Sequence, residues 1–298
     1  MPWARRGRGR SRGERRQSGT LWVALGILIL LTPIVLTLIN DYQLNAIAEQ
    51  YSESVEHIEP SNRIREYLAE AQAYNERLAA TGHHAMPPND QSPGFDDYMG
   101  TLDAPETNGV MARVRIPDIE LDLPIYHTTN PEVLYHGVGH MFGSDLPVGG
   151  QARTSVISAH TGMMSASMFD QIVALGNGSD IYIDVMGEKL RYRVTGRQVV
   201  GPQDVSAITY EADNDKLILI TCTPYGINTD RLLIEAERAP LQEPLVLDGA
   251  WHPVLSWWMI LDLLLILAII VYLLASRRKR RRDEEDDNAS CVPDRVVP

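Results

Sequence analysis

The chain has 298 residues, a formal net charge of −12 and an apolar fraction of 44%, enough for one sizeable domain with appendages. That acidic balance speaks against a nucleic-acid partner. Two cysteines are too few for a disulfide framework.

Residues 1–20 carry seven arginines and one glutamate and form a basic tail. The next segment, 21–40 ("LWVALGILILLTPIVLTLIN"), has the roughly 20 apolar residues a membrane-spanning helix needs. A cleaved secretory signal is the competing reading, with "AIA" at Ala46–Ala48 as the cleavage site. The run exceeds the usual apolar core of about 7–15 residues, which favours an uncleaved anchor. A second apolar run covers 254–275 and is followed at 277–282 by "RRKRRR". Basic flanks beside a span stay on the cytoplasmic side. Both tails, 1–20 and 276–298, are therefore expected inside, with residues 41–253 outside. Trp251, Trp257 and Trp258 fall at the outer edge of the second span, where an aromatic belt belongs. The outer segment holds 13 Lys/Arg against 31 Asp/Glu, a formal charge of −18. Its expected partners include the bilayer that anchors it, but neither nucleic acid nor an anionic lipid surface.

Residues 41–108 read as a helical segment followed by a loop. "DYQLNAIAEQYSESVEHI" and "NRIREYLAEAQAYNERLAA" have helical composition, and Pro60 separates them. Ile64, Tyr67, Leu68, Ala71, Tyr74 and Leu78 are spaced to make one apolar stripe. From 81 to 109, Pro, Gly, Asp and Asn predict loop. His83 and His84 lack a further ligand at metal-binding spacing, so neither a metal nor a cofactor is expected.

Residues 109–240 are all β in pattern. "VMARVRIP", "ELDLPIYH", "TSVISAH", "DIYIDVMGEKLRYRVTGRQVV", "KLILITC" and "RLLIEAE" are short apolar runs divided by turn residues, as in a sandwich or closed barrel. "MGEK" (186–189) reads as a hairpin turn. His136 and His140 lie among glycines, which predicts loop and structural histidines. A linker, 241–253, leads to the second span.

Cys291 belongs to the inner tail, so Cys222 stands alone outside. A solitary external cysteine is a buried hydrophobe, an intermolecular disulfide or a working thiol. "KLILITC" and "RLLIEAE" are joined by a linker too short for a crossover helix, which predicts antiparallel neighbours. Cys222 then ends one strand where Arg231 begins the next. A thiol of ordinary pKa, about 8.5, is mostly protonated at neutral pH and needs a base. His160 is the candidate, because "TSVISAHTG" repeats the layout of the Cys222 segment: apolar strand, titratable side chain, glycine turn. The bland alternatives are an inert thiol, a loop histidine, and an arginine paired with Asp230 or Glu211.

"ISAHTG", "TCTPYGINTDRLLI", "LPIYH" and "LYHGVGHMFGSDLPVGG" together resemble the sortases, most of all the pilus-building class C sortases, from about Gly109 to Glu237. The resemblance implies an eight-stranded β-barrel with N-terminal helices, here flanked by two transmembrane helices. It also implies a cysteine transpeptidase acting on LPXTG-like sorting signals of pilins or surface proteins. By motif match, Cys222 takes the nucleophile's place, His160 the histidine's and Arg231 the arginine's. The acceptor amine is then a pilin lysine or, in a wall-anchoring enzyme, a peptidoglycan precursor; a non-enzymatic tethered β-domain is the remote alternative. Two departures stand out. Ile218 occupies the place of a family threonine, and residues 81–100 lack the Asp-Pro-aromatic anchor of the class C lid.

Overall fold

The computed structural model describes residues 12–85, 91–241 and 251–290. Short β-branched runs from Val110 onward fold into eight strands: β1 Val110–Ile116, β2 Leu121–His127, β3 Val138–His140, β4 Arg153–Ser158, β5 Asp180–Val185, β6 Glu188–Val200, β7 Asp215–Thr223 and β8 Asp230–Ala239. They close into a barrel in the order β1-β2-β3-β4-β7-β8-β6-β5. Closure leaves no sheet edge with unpaired backbone groups.

Two pairings set what the barrel can do. β4 and β7 run parallel, in register from Arg153↔Asp215 to Ser158↔Ile220. β7 and β8 are antiparallel, as expected, with Cys222↔Arg231 near the end of the ladder. Side chains alternate across β7. Leu217 and Leu219 enter the main core, while Ile218 and Ile220 lie in a second cluster with Val156 and Leu233. Burial on both faces explains why β7 reads as an unbroken apolar run. It also accommodates Ile218 at the family's threonine position, where it is fully buried.

The 186–189 turn is the predicted hairpin. Met186 and Gly187 both have positive φ (46° and 78°), as a two-residue type I′ loop requires. Strand β3 is a departure, because its glycines signalled loop. They serve close backbone approach instead. A Cβ on Gly137 would lie 2.8 Å from the Pro124 carbonyl oxygen, and one on Gly139 would collide with that of Thr128. Glycine is what lets β3 pair in parallel with β2 and antiparallel with β4.

Helix α1 runs without interruption over Arg12–Glu56, and α2 covers Asn62–Thr81 after a break around Pro60. The stripe on α2 packs as its spacing predicts, with Ala71, Tyr74 and Leu78 buried in the main core. Tyr51 docks α1 on the barrel by donating to the Met111 carbonyl (2.9 Å) and accepting from the Met186 amide (2.8 Å). The 81–109 segment is not all loop: α3 spans Phe95–Gly100 and buries Tyr98 completely. A four-residue helix, α4 (Pro131–Leu134), precedes β3, and α5 covers Trp257–Ser290. The chain divides into two compact units, Met1–Leu36 with Leu255–Pro298, and Thr37–Val254, which contains the barrel. Two helical stretches, Leu21–Glu56 and Trp257–Asp283, are long and apolar enough to cross a membrane.

His140 is structural. Its Nε2 donates to the Asp145 carbonyl (2.8 Å), and its backbone carbonyl accepts from the Tyr98 hydroxyl (3.0 Å), which also lies 3.1 Å from Nδ1. Burial pushes its pKa down to about 4. His127, which donates to the Thr101 carbonyl (2.7 Å), is shifted down for the same reason. Below pH 6.5 the unfolded chain takes up protons that these native rings refuse, so stability falls with pH. For His140 alone the loss between pH 7.5 and pH 5 is about 2 kcal/mol. Denaturant unfolding of the detergent-solubilised chain at the two pH values measures it. His140→Gln should be less stable at pH 7.5 yet show a shallower pH dependence, with the remaining slope carried partly by His127.

Candidate active site

Cys222 is the last but one residue of β7, half-buried and free. Directly opposed residues of an antiparallel pair project to the same face, with Cβ atoms about 5 Å apart. Arg231 is therefore the thiol's cross-strand neighbour on the outer face of the barrel. Its guanidinium reaches the carbonyls of Asp230 (3.1 Å) and Asn228 (3.5 Å). Among the described residues it makes no ion pair. Glu211 pairs with Lys216 at 2.8 Å instead, and Asp230 accepts from the Thr229 hydroxyl at 2.7 Å. The planar fork is left to offer donors to an incoming oxygen.

The parallel β4–β7 pair brings His160 to the same rim. Two residues past the Ser158↔Ile220 register, His160 stands just beyond β4 and Cys222 near the end of β7. The approach is stitched by the Ala159 amide to the Ile220 carbonyl (3.2 Å) and the Thr221 hydroxyl to the Ala159 carbonyl (2.8 Å). Partial burial holds the His160 pKa below the ordinary imidazole value, so the ring is neutral at neutral pH. The Tyr135 ring flanks it, centroids 5.6 Å apart. A thiol, a neutral imidazole and a guanidinium at one barrel rim can perform acyl transfer through sulfur.

The loop after His160 is held on two sides by groups the sequence reading did not single out. On one side α1 grips it. The Thr37 hydroxyl donates to the Met164 carbonyl (2.6 Å) and the Asn40 amide to the Ser165 carbonyl (2.9 Å). The Asp41 carboxylate accepts from the Ser167 amide and hydroxyl, both at 2.8 Å. On the other side, Asp170 binds Thr161 and Gly162 of this loop and Tyr225 of the Cys222 loop. An isolated acidic residue, whether on a helix like Asp41 or in a loop like Asp170, carries no signal for such contacts.

The described parts of 81–100 are anchored on the outer-face cluster and on the main core. His83 bonds the Asp145 carboxylate (2.9 Å) and stacks on Tyr210, centroids 3.8 Å apart. Ala85 packs into the outer-face cluster of Val156, Ile218, Ile220 and Leu233. Phe95 turns toward the main core, edge-on to Phe142 at 5.3 Å. The "MPPND" stretch at 86–90 lies outside the described residues.

Comparison with known proteins agrees with this geometry. A sortase-domain family model matches residues 114–239. The barrel superposes on sortase C-1 of Actinomyces oris with a TM-score of 0.55 and 39% identity, covering 60% of this chain and 99% of that one. For sortase C1 of the group B streptococcal pilus island 1 the values are 0.60 and 31%, covering 69% and 96%. Sortase D of Bacillus subtilis is 30% identical over 122 residues, 41% of this chain and 59% of that protein. The chain spans 52–59% of the length of the curated relatives it matches.

With Phe95 committed to aromatic packing, Phe95→Ala should cost about 2 kcal/mol of stability, less than a fully buried phenylalanine would. It should speed labelling of Cys222 by a bulky maleimide less than about tenfold, about 1.4 kcal/mol of closure energy. A larger acceleration would make Phe95 a plug over the thiol.

Proposed function

Because the chain belongs to the sortase family and resembles its class C members, we propose that it is a membrane-anchored cysteine transpeptidase. On this reading it cleaves LPXTG-like sorting signals and joins the upstream protein to an amine, a pilin lysine, so that it polymerises pilins. The observation that carries the proposal is the three-strand rim: Cys222 opposite Arg231, with His160 leaving the strand that runs parallel to β7.

The chemistry follows from the side chains. His160 takes the proton of the Cys222 thiol, and the thiolate so formed attacks the threonine carbonyl carbon while the carbonyl π electrons move onto oxygen. Arg231 stays protonated and holds the developing oxyanion and the substrate backbone. When the tetrahedral species collapses, the C–N bond breaks and imidazolium His160 gives its proton to the departing glycine amine. A thioester remains, with His160 neutral. The acceptor amine then attacks the thioester carbon and yields its proton to His160 as the C–S bond breaks and thiolate returns. A ring with a depressed pKa suits this cycle. It is neutral when the amine must be deprotonated, and it is a stronger acid once charged. No metal or cofactor enters these steps.

The absence of the Asp-Pro-aromatic anchor in the described part of 81–100 favours, as second reading, a wall-anchoring sortase whose acceptor is a peptidoglycan precursor. In either case the basic flanks of the two apolar helices support cytoplasmic termini and an extracytoplasmic barrel.

The test is transfer of a set of LPXTG peptides to a lysine-bearing pilin fragment or to an oligoglycine. Cys222→Ala should abolish product with the fold unchanged by circular dichroism, and His160→Ala should be nearly as inactive. Arg231→Lys should lose at least about tenfold, because lysine keeps the charge but not the planar fork. Product at parental rates from Cys222→Ala would end the proposal. Tags after Met1 and Pro298 should both resist protease added to wall-stripped cells; digestion of the C-terminal tag would overturn the two-ends-inside topology.

A further inference from the structure

The active-site rim has a feature that strand register alone does not supply. His160 sits two residues beyond β4, and Cys222, though still paired with Arg231 of β8, lies two residues past the end of the β4–β7 register, so no β4–β7 ladder pair fixes their separation. A single carboxylate spans the two loops. Asp170 Oδ1 accepts from the Thr161 hydroxyl (3.0 Å) and the Gly162 amide (2.8 Å), immediately after His160. Its Oδ2 accepts from the Tyr225 hydroxyl (3.1 Å), three residues after Cys222. Asp170 is buried, 7% exposed. It is itself held by its amide's bond to the Ser167 carbonyl (2.8 Å) and by Phe169, whose amide returns to the His160 carbonyl (3.0 Å). The two loops also meet backbone to backbone: a Cβ on Gly162 would stand 3.3 Å from the Gly226 nitrogen.

We infer that Asp170, with Tyr225 as its partner, is a positioning residue that clamps the His160 loop to the Cys222 loop. It touches neither substrate nor reacting atoms and acts by fixing where the imidazole stands relative to the thiol. That separation matters most in the transition state, where the imidazolium must reach the leaving nitrogen while sulfur is bonded to carbon. Loosening the clamp therefore lowers kcat and leaves KM nearly unchanged. The clamp needs acceptors facing Thr161 and Gly162 and any hydrogen-bonding group facing Tyr225. Asparagine supplies all three, because its amide nitrogen can donate to the tyrosine oxygen. Charge is dispensable, and geometry is not. This inference rests on the sortase reading for its catalytic consequence but not for the clamp itself.

The experiment has two arms on the detergent-solubilised full chain. In the first, steady-state cleavage of the best-cleaved LPXTG fluorophore–quencher peptide is measured for the parent, Asp170→Ala, Asp170→Asn and Tyr225→Phe. Asp170→Ala should lose about 30-fold or more in kcat with KM within about threefold, as a misplacement of about an ångström does. Tyr225→Phe should lose about threefold to tenfold, and Asp170→Asn should stay within about threefold of the parent. In the second arm, amide hydrogen exchange is followed in 160–169 and 222–229. Asp170→Ala should speed exchange in both segments, and Tyr225→Phe should do so in 222–229. Acceleration confined to 160–169 in Asp170→Ala, or Asp170→Asn as impaired as Asp170→Ala, would overturn the clamp. If Asp170→Ala does not fold, Tyr225→Phe decides: parental kcat together with parental exchange overturns the inference. A parent that cleaves no peptide would fell the sortase reading, and the exchange arm would still decide the clamp.

Discussion

The parallel pairing of β4 with β7 is the constraint on which the site depends. Parallel strands end at the same rim, so the residues that follow them emerge together. The antiparallel return of β8 then starts its strand where β7 finishes, bringing Arg231 beside Cys222. Had β4 been antiparallel to β7, His160 would leave at the far end of the strands, about 3.3 Å away for each residue of strand length. The backbone ladder thus does for three side chains what no local sequence feature could do alone.

That ladder is held by apolar packing on both of its faces. Leu217 and Leu219 point into the barrel, and Ile218 and Ile220 pack outward against Val156 and Leu233. The outward cluster borders the thiol, because Cys222 shares the parity of Ile218 and Ile220 on β7. An apolar floor thus lies beside the polar trio. Ala85 extends the same floor from the segment before α3. Part of the lid-like region thereby belongs to the rim's surroundings even though Phe95 is engaged in the core.

Histidine shows how environment separates residues of one kind. His140 and His127 are buried, bonded to backbone carbonyls, and serve packing. His83 pairs with Asp145 beneath a stacked tyrosine. His160 is partly open at the rim of the parallel pair, with its ring beside Tyr135. The sequence places eight histidines between its two apolar runs, and strand order brings His160 to the rim where the cysteine stands.

By itself the sequence determined the strands and helices of the barrel unit, with β3, α3 and the short α4 as the exceptions, together with the β5–β6 turn and the β7–β8 hairpin. These rest on local physics: alternation along a strand, a helical stripe, positive φ at a glycine turn, and a linker too short to cross over. The motifs around Cys222, His160 and Arg231 were also legible, because each is a contiguous run. Tertiary structure alone decided the rest. Gly137 and Gly139 looked like loop residues because the backbone they must approach, at Pro124 and Thr128, is distant in sequence. Tyr98 sat in a segment that read as loop, and it became helical and buried through bonds to His140 and Thr128. Asp41 and Asp170 carry no sequence mark, since a carboxylate that braces a loop has the same composition as one that faces water. Only the closing of the barrel, which brings residues 37–41, 160–170 and 222–231 to one rim, distinguishes the two.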